Sequence, residues 1–169
     1  TMSEATRIEH AIAAAEHETF DLARLLAEVG EGYRAVLAPR RLLIDDVDTP
    51  CPFHGAPELL VQALDKLIDN ARGFTPEDGE IGIALQRGTR DVVIEVTNTG
   101  PRLPEAMRHR LFDSLVSMRE RSRSADGAVH LGFGLHVVKL VAAAHGGSAE
   151  ADNLDDVSGV VFRLRLPLR

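Results

Sequence analysis

The stretch at residues 58–76, ELLVQALDKLIDNARGFTP, restricts the fold more than any other. Leu60, Leu64, Leu67 and Ala71 recur at the three- and four-residue spacing of one helix face. The stretch therefore predicts a helix with that face toward a core. Pro57 suits the first helical position, where no backbone donor is missed, and Glu58 complements the positive helix start. Pro76 disfavours helical geometry at Thr75 and sets the end. Gln62, Lys66, Asp69, Asn70 and Gly73 fall on the polar side. An amide such as Asn70, on the flank of an apolar helix, needs a partner. Backbone could supply one, or its oxygen could face a hydrated metal ion, and the helix alone does not choose.

On either side of this helix the periods change. Residues 3–19 are rich in Ala and Glu and predict a helix capped by Ser3, with a thin stripe of Ile8, Ala11, Ile12 and Ala15. Residues 21–37 predict a second helix with Leu22, Leu25, Leu26 and Val29 inward, weakened by Gly30 and Gly32 and stopped by Pro39. Residues 41–47 predict a strand and 48–57 a loop. Beyond the central helix, Ile81, Ile83 and Leu85 alternate with Gly82, Ala84 and Gln86. Val92, Ile94 and Val96 alternate again and deliver Asn98 to a strand end. Pro104 begins a short helix through Leu111 and Phe112. Residues 117–130 carry Arg119, Arg121 and Arg123, show no apolar period and predict a mobile loop. A helix over 133–144 ends at Gly146 and Gly147. Strands at 148–152 and 160–166 close the chain, with Val160, Phe162, Leu164 and Leu166 on one face and Arg163 and Arg165 on the other. Strands that arrive by hairpins predict an α+β fold: a two-layer sandwich, its mostly antiparallel sheet covered by helices on one face.

Composition narrows the function. The chain has 169 residues, 44% hydrophobic and 27% charged, which suits one soluble domain with a proper core. A formal net charge of -7 argues against nucleic-acid binding by bulk attraction. The single cysteine, Cys51, excludes an internal disulfide and a cysteine-rich zinc site. No run approaches the roughly 18 apolar residues of a membrane span.

Four short motifs follow one another: DNARGFTPEDG, VTNTGPRLPE, RLFDSLVS and HLGFGLHVVKLVAAAHGG. In this order and spacing the chain resembles the C-terminal ATP-binding catalytic domain of bacterial sensor histidine kinases. That domain has the Bergerat fold shared with gyrase B, Hsp90 and MutL. The four stretches are similar to the family's N, G1, F and G2 boxes, and the likeness covers about residues 20–169. The wording LDKLIDNA, LFDSLVS and LGFGL looks most like the kinases paired with dedicated sortase systems in proteobacteria. The resemblance makes residues 1–19 the end of the dimerisation hairpin or its linker helix, and residues 20–169 the catalytic domain.

What the resemblance implies can be carried over position by position. Asn70 matches the asparagine that holds the magnesium ion bridging the ATP phosphates, and one amide oxygen is a reasonable share of a magnesium shell. Four residues earlier the family carries Asn, His or a water-activating Glu; here Lys66 stands, which is no hydrolytic base while protonated but could bind phosphate. Gly73 replaces a family lysine, so Lys66 or Arg72 is expected to supply that charge. Asn98 takes the place of the aspartate that accepts from the adenine amino group, and its carbonyl oxygen can accept without charge. Gly100 matches a G1 glycine, while Arg102 replaces the second one. Phe112 matches the aromatic of the F box. Gly132, Gly134 and Leu135 match the glycine-rich helix start, where free amides attract anions, and Lys139 adds positive charge one turn on.

His10, His17, His54, His109, His136 and His145 show no metal-ligand spacing, and only His17, followed by Glu18, begins like a phosphoacceptor box. The implied activity is transfer of the ATP γ-phosphoryl group to a histidine on a separate dimerisation hairpin, with ATP and Mg2+ bound here. A response regulator would be the downstream partner, and a homodimeric parent anchored in the bacterial inner membrane would place this domain in the cytoplasm. Two rivals stay open. One is an ATPase of the same superfamily, disfavoured by Lys66. The other is a degenerate nucleotide-binding platform, favoured by the departures at Lys66, Gly73, Asn98 and Arg102.

Overall fold

The computed structural model describes residues 3–108, 110–112 and 134–168. In chain order it shows α1 (Glu4–Ala14), β1 (Glu18–Asp21), α2 (Leu22–Leu37), β2 (Arg41–Asp45), β3 (Pro52–Gly55), α3 (Pro57–Phe74), β4 (Glu80–Arg87), β5 (Asp91–Thr99), α4 (Glu105–Arg108), α5 (Leu135–Ala144), β6 (Ser148–Asn153) and β7 (Gly159–Pro167). Five strands form one sheet in the order β2-β4-β5-β7-β6. Only the β2–β4 pair is parallel, so the sheet is mixed and mostly antiparallel, as the hairpin spacing predicts.

Period-two alternation sorts the sheet into two faces. Register places Ile83 beside Val96 and Val96 beside Phe162, and this buried row continues through Leu85, Ile94 and Leu164. Helices α2, α3 and α5 cover that face. The opposite face is a lattice of charges: Arg163 pairs with Glu95 at 3.1 Å and Asp152 at 2.9 Å, and Arg165 with Asp91 at 3.1 Å. The result is the two-layer α+β sandwich expected from the sequence.

Several boundaries differ from the expectation. The first helix ends at Ala14 rather than near residue 19, and Glu18–Asp21 forms a strand. Its partner, Pro52–Gly55, lies inside the stretch read as a loop. Each strand is four residues long and pairs with a segment more than thirty residues away, so no local period marks either one. The expected short helix through Leu111 and Phe112 is one turn, Glu105–Arg108, followed by turn residues. The predicted loop at 117–130 lies outside the described residues.

Two side chains tie the layers together. Asp21 caps α2: one carboxylate oxygen accepts from the backbone N–H of Ala23 at 3.1 Å, Arg24 at 3.3 Å and Cys51 at 2.9 Å. That oxygen therefore fixes both the start of α2 and the approach to β3. His145, which ends α5, is 4% exposed. Its Nε2 accepts from the N–H of Ala56 at 3.0 Å, which leaves the proton on Nδ1 to be donated to the Val141 carbonyl at 2.9 Å. Ala56 is the cap position of α3 and has no side-chain oxygen to satisfy the helix start. His145 thus does structural work that no local pattern around it signals.

The Cys51 N–H, with the α2 amides behind it, holds the Asp21 carboxyl below its ordinary range. The stabilisation from this lowered carboxylate is fully present above about pH 4 and is lost as pH falls through the folded-state value. Asp21→Ala should cost about 1–2 kcal/mol at pH 7. Urea unfolding at pH 7 and pH 3 checks this, and the gap between variant and wild type should shrink at the lower pH.

Candidate functional site

The central helix brings Lys66 and Asn70 to one flank. Its buried face is wider than the four-residue stripe suggested: Leu59, Ala63 and Ile68 are buried along with Leu60, Leu64, Leu67 and Ala71. Asn70, placed on the polar side by the sequence pattern, falls at the margin of this wide face and is 2% exposed. Its Oδ1 is buried without a hydrogen-bond partner. An orphaned buried acceptor costs about 1–3 kcal/mol, and a hard cation carried in by a ligand would satisfy it. Among the described residues no cluster of three or more His, Cys, Asp or Glu could hold a metal ion. The donor set therefore suits an ion brought with its ligand better than one caged by protein.

The turn after β5 packs against the end of this helix. Asn98 is 2% exposed, and its Nδ2 donates to the Thr99 carbonyl at 3.2 Å. The amide oxygen is thereby the end left to accept from a ligand. Gly100 has φ 144°, and a Cβ there would come within 2.6 Å of the Phe74 carbonyl at the last turn of α3. Only glycine permits that approach. The β6–β7 turn clamps the same glycine: its N–H donates to the Ser158 carbonyl at 3.0 Å, and the Ser158 hydroxyl donates to its carbonyl at 2.8 Å. Arg102, one residue past Pro101, reaches the Leu154 carbonyl at 3.4 Å.

Gly134 begins α5 with φ 78°, and a Cβ there would lie 2.5 Å from Lys66 Cδ. The stem of Lys66 is therefore laid against the first turn of α5. Leu135, next in the chain, is fully buried and anchors that turn in the core. Lys66 Nζ pairs with Glu4 of α1 at 3.0 Å. Lys66 and Arg72 also line a cleft of about 470 Å³ between α2 and α3, with Tyr33, Gln62, Asp65 and Asp69. Burial there pushes the Asp65 carboxyl up, against the opposing charge of Lys66.

The expected residues do not all converge. Lys66 and Asn70 lie one turn apart on α3, Gly134 meets Lys66, and the Asn98–Gly100 turn meets the same helix at Phe74. Lys139 lies apart, lining a smaller cleft with Arg108, Phe112, Glu150 and Asp152 beside β6. Phe112 is nearly buried and meets Phe162 edge-on, with ring centroids 6.2 Å apart. Arg72 lines the α2–α3 cleft. Gly132 and the arginine-bearing loop lie outside the described residues. His17 is not helical: it follows α1 and lies 5.4 Å from the His145 ring, centroid to centroid. Sequence reasoning missed Glu4, whose only signal was its place in the first turn of a capped helix.

Residues 55–169 match the family model described as histidine kinase-, DNA gyrase B- and HSP90-like ATPase. The chain belongs to this family. Sensor protein CreC of Escherichia coli (strain K12) is 32% identical over 146 residues, 86% of this chain and 30% of that protein. The adaptive-response sensory kinase SasA of Crocosphaera subtropica is 33% identical over 150 residues, 87% of this chain and 38% of that protein. The chain thus spans about a third of the length of these relatives. Among solved structures, a mycobacterial sensor histidine kinase, MprB, superposes with a TM-score of 0.74 at 27% identity, covering 91% of this chain and 99% of that one. The Bergerat-type architecture expected from the motifs is therefore the observed one. No helix of the described residues is long and apolar enough to cross a membrane.

The Gly100 geometry gives a direct check. Gly100→Ala should destabilise the domain by about 2 kcal/mol or more, since it combines a positive φ with a backbone clash. Denaturant unfolding of wild-type stability in this variant would contradict the close approach of the turn to α3.

Proposed function

We propose that this chain is the ATP-binding catalytic domain of a two-component sensor histidine kinase, transferring the γ-phosphoryl group of ATP to a histidine on a separate dimerisation hairpin. The observation that carries the reading is the buried, unpartnered Oδ1 of Asn70, one turn after Lys66 and one turn before Phe74, where the Gly100 turn meets the helix. Family membership supports it, and so does the likeness to relatives named as sensor kinases.

On this reading Asn70 offers its amide oxygen to Mg2+, which neutralises charge on the ATP phosphates when bound. Asn98 orients the adenine by accepting from its amino group. Gly134 and the first turn of α5 present backbone amides toward phosphate, and Lys66 supplies a cation beside them. The bond from the γ-phosphorus to its bridging oxygen breaks as a bond to the acceptor imidazole forms, and ADP leaves. The chain's contribution is positioning and charge neutralisation rather than covalent chemistry. Residues 1–19 act as the end of the hairpin or its linker, and residues 20–169 as the catalytic unit. A response regulator receives the phosphoryl group from the hairpin, and the parent is a homodimer anchored in the inner membrane with this domain in the cytoplasm.

His17 is a poor acceptor on this account. It sits outside any helix and against the ring of His145, which bonds the start of α3, whereas Asn70 lies near the end of that helix. The chain should therefore bind ATP better than GTP, whose base offers a carbonyl where adenine has its amino group, and Asn98→Leu should remove that preference. With γ-labelled ATP the chain alone should stay unlabelled, and a hairpin supplied in trans should become labelled on a histidine. Equal binding of both nucleotides would remove Asn98 from the base site. Stoichiometric phosphohistidine within residues 1–169 would overturn the separation of catalyst from acceptor.

A further inference from the structure

Lys66 does two things at once. Its stem lies against Gly134, where an added Cβ would come within 2.5 Å of Cδ. Its ammonium is not fixed by the same contact, and it reaches Glu4 Oε1 at 3.0 Å. Glu4 lies in the first turn of α1, which Ser3 caps through the N–H of Thr6 at 3.1 Å. Helix α1 is seated rather than loose: Ile8 is 3% exposed, and the helix packs on α5. Between α1, α3 and α5 a cleft of about 390 Å³ opens, lined by Glu4, Arg7, Ile8, Gln62, Lys66 and Val137. Lys66, the α3 cation one turn before Asn70, is thus already paired with the helix that precedes the domain.

The pair is half-open to water, with side chains 39% and 43% exposed. Exposed pairs of this kind contribute little to fold stability. Such a contact is easily broken by a better anion, and a phosphate is one.

We propose that Glu4 is a positioning residue for the nucleotide site, acting through Lys66. While α1 is seated, Glu4 holds the Lys66 ammonium toward α1, and a bound triphosphate has to displace that carboxylate to gain the charge. Any movement of α1 that withdraws Glu4 releases the cation to the phosphates. Helix α1 then reports its own position to the site through one ion pair. The proposal rests on the nucleotide reading above.

The test is a titration of the 169-residue chain with the magnesium complex of a non-hydrolysable ATP analogue and, separately, with adenosine. Wild type, Glu4→Gln, Glu4→Asp, Lys66→Met and the Glu4→Gln/Lys66→Met double variant are compared. Glu4→Gln should tighten the triphosphate by about two- to fivefold, the range an exposed ion pair supports, and leave adenosine unchanged. Glu4→Asp, which keeps the charge, should stay close to wild type. In the Lys66→Met background the gain should vanish. An unchanged triphosphate affinity in Glu4→Gln, an equal gain for adenosine, or a gain that survives Lys66→Met would each overturn the proposal and leave the nucleotide reading standing. Failure of the wild type to bind any adenine nucleotide would overturn both.

Discussion

A buried amide oxygen with nothing to accept from is the constraint around which this domain is arranged. Asn70 Oδ1 sits on the flank of α3, closed off from water and unpaired. Leaving it so costs about 1–3 kcal/mol, a sizeable share of the stability of a domain this size. The surrounding helix offsets the cost by its width. Eight α3 residues, Asn70 among them, are buried against the sheet and its neighbouring helices. A narrower helix could not carry an unsatisfied acceptor at its margin. The site is thus a local defect tolerated by an over-determined core.

The elements around Asn70 are positioned by few contacts of high specificity. His145 joins the end of α5 to the start of α3 by accepting the Ala56 N–H, so the two helices that flank the site keep a fixed relation. Gly100 lets the β5 turn lie against the last turn of α3, and Gly134 lets α5 begin against Lys66. Each glycine sits where a methyl group would collide with a residue of α3. Asp21 works at the far side, joining α2 to β3 through one oxygen. Removal of His145, Gly100 or Gly134 would loosen an approach to α3, and removal of Asp21 the start of α2.

Much of this was legible in the sequence, and the reasons are physical. The central helix, β4, β5 and β7 show their periods directly, because each buries one face over many residues. The order of four motifs pointed to the family that residues 55–169 match. The β1–β3 ribbon was hidden because its pairing is long-range and its strands are short. Asn70 was placed on the polar side because Leu59, Ala63 and Ile68 widen the buried face beyond the stripe that spacing reveals. Lys139 was expected beside the phosphates from its place one turn into α5, yet the helix turns it toward β6. Spacing along a chain gives the face of a helix but not which neighbour that face meets. The pairing of Glu4 with Lys66 and the anchoring by His145 are tertiary facts of the same kind.

The most direct measurement replaces Asn70 with leucine and reads stability and nucleotide affinity together. Removing the unpaired oxygen while keeping the volume should leave the unfolding free energy unchanged or raise it by about 1–3 kcal/mol. Calorimetric titration with a non-hydrolysable ATP analogue, with and without magnesium, should then show that the tightening due to magnesium has fallen by about tenfold or more, near 1.4 kcal/mol. A variant that is stable yet keeps the full magnesium-dependent affinity would contradict the account, because the orphaned oxygen would then serve neither the fold nor the ion.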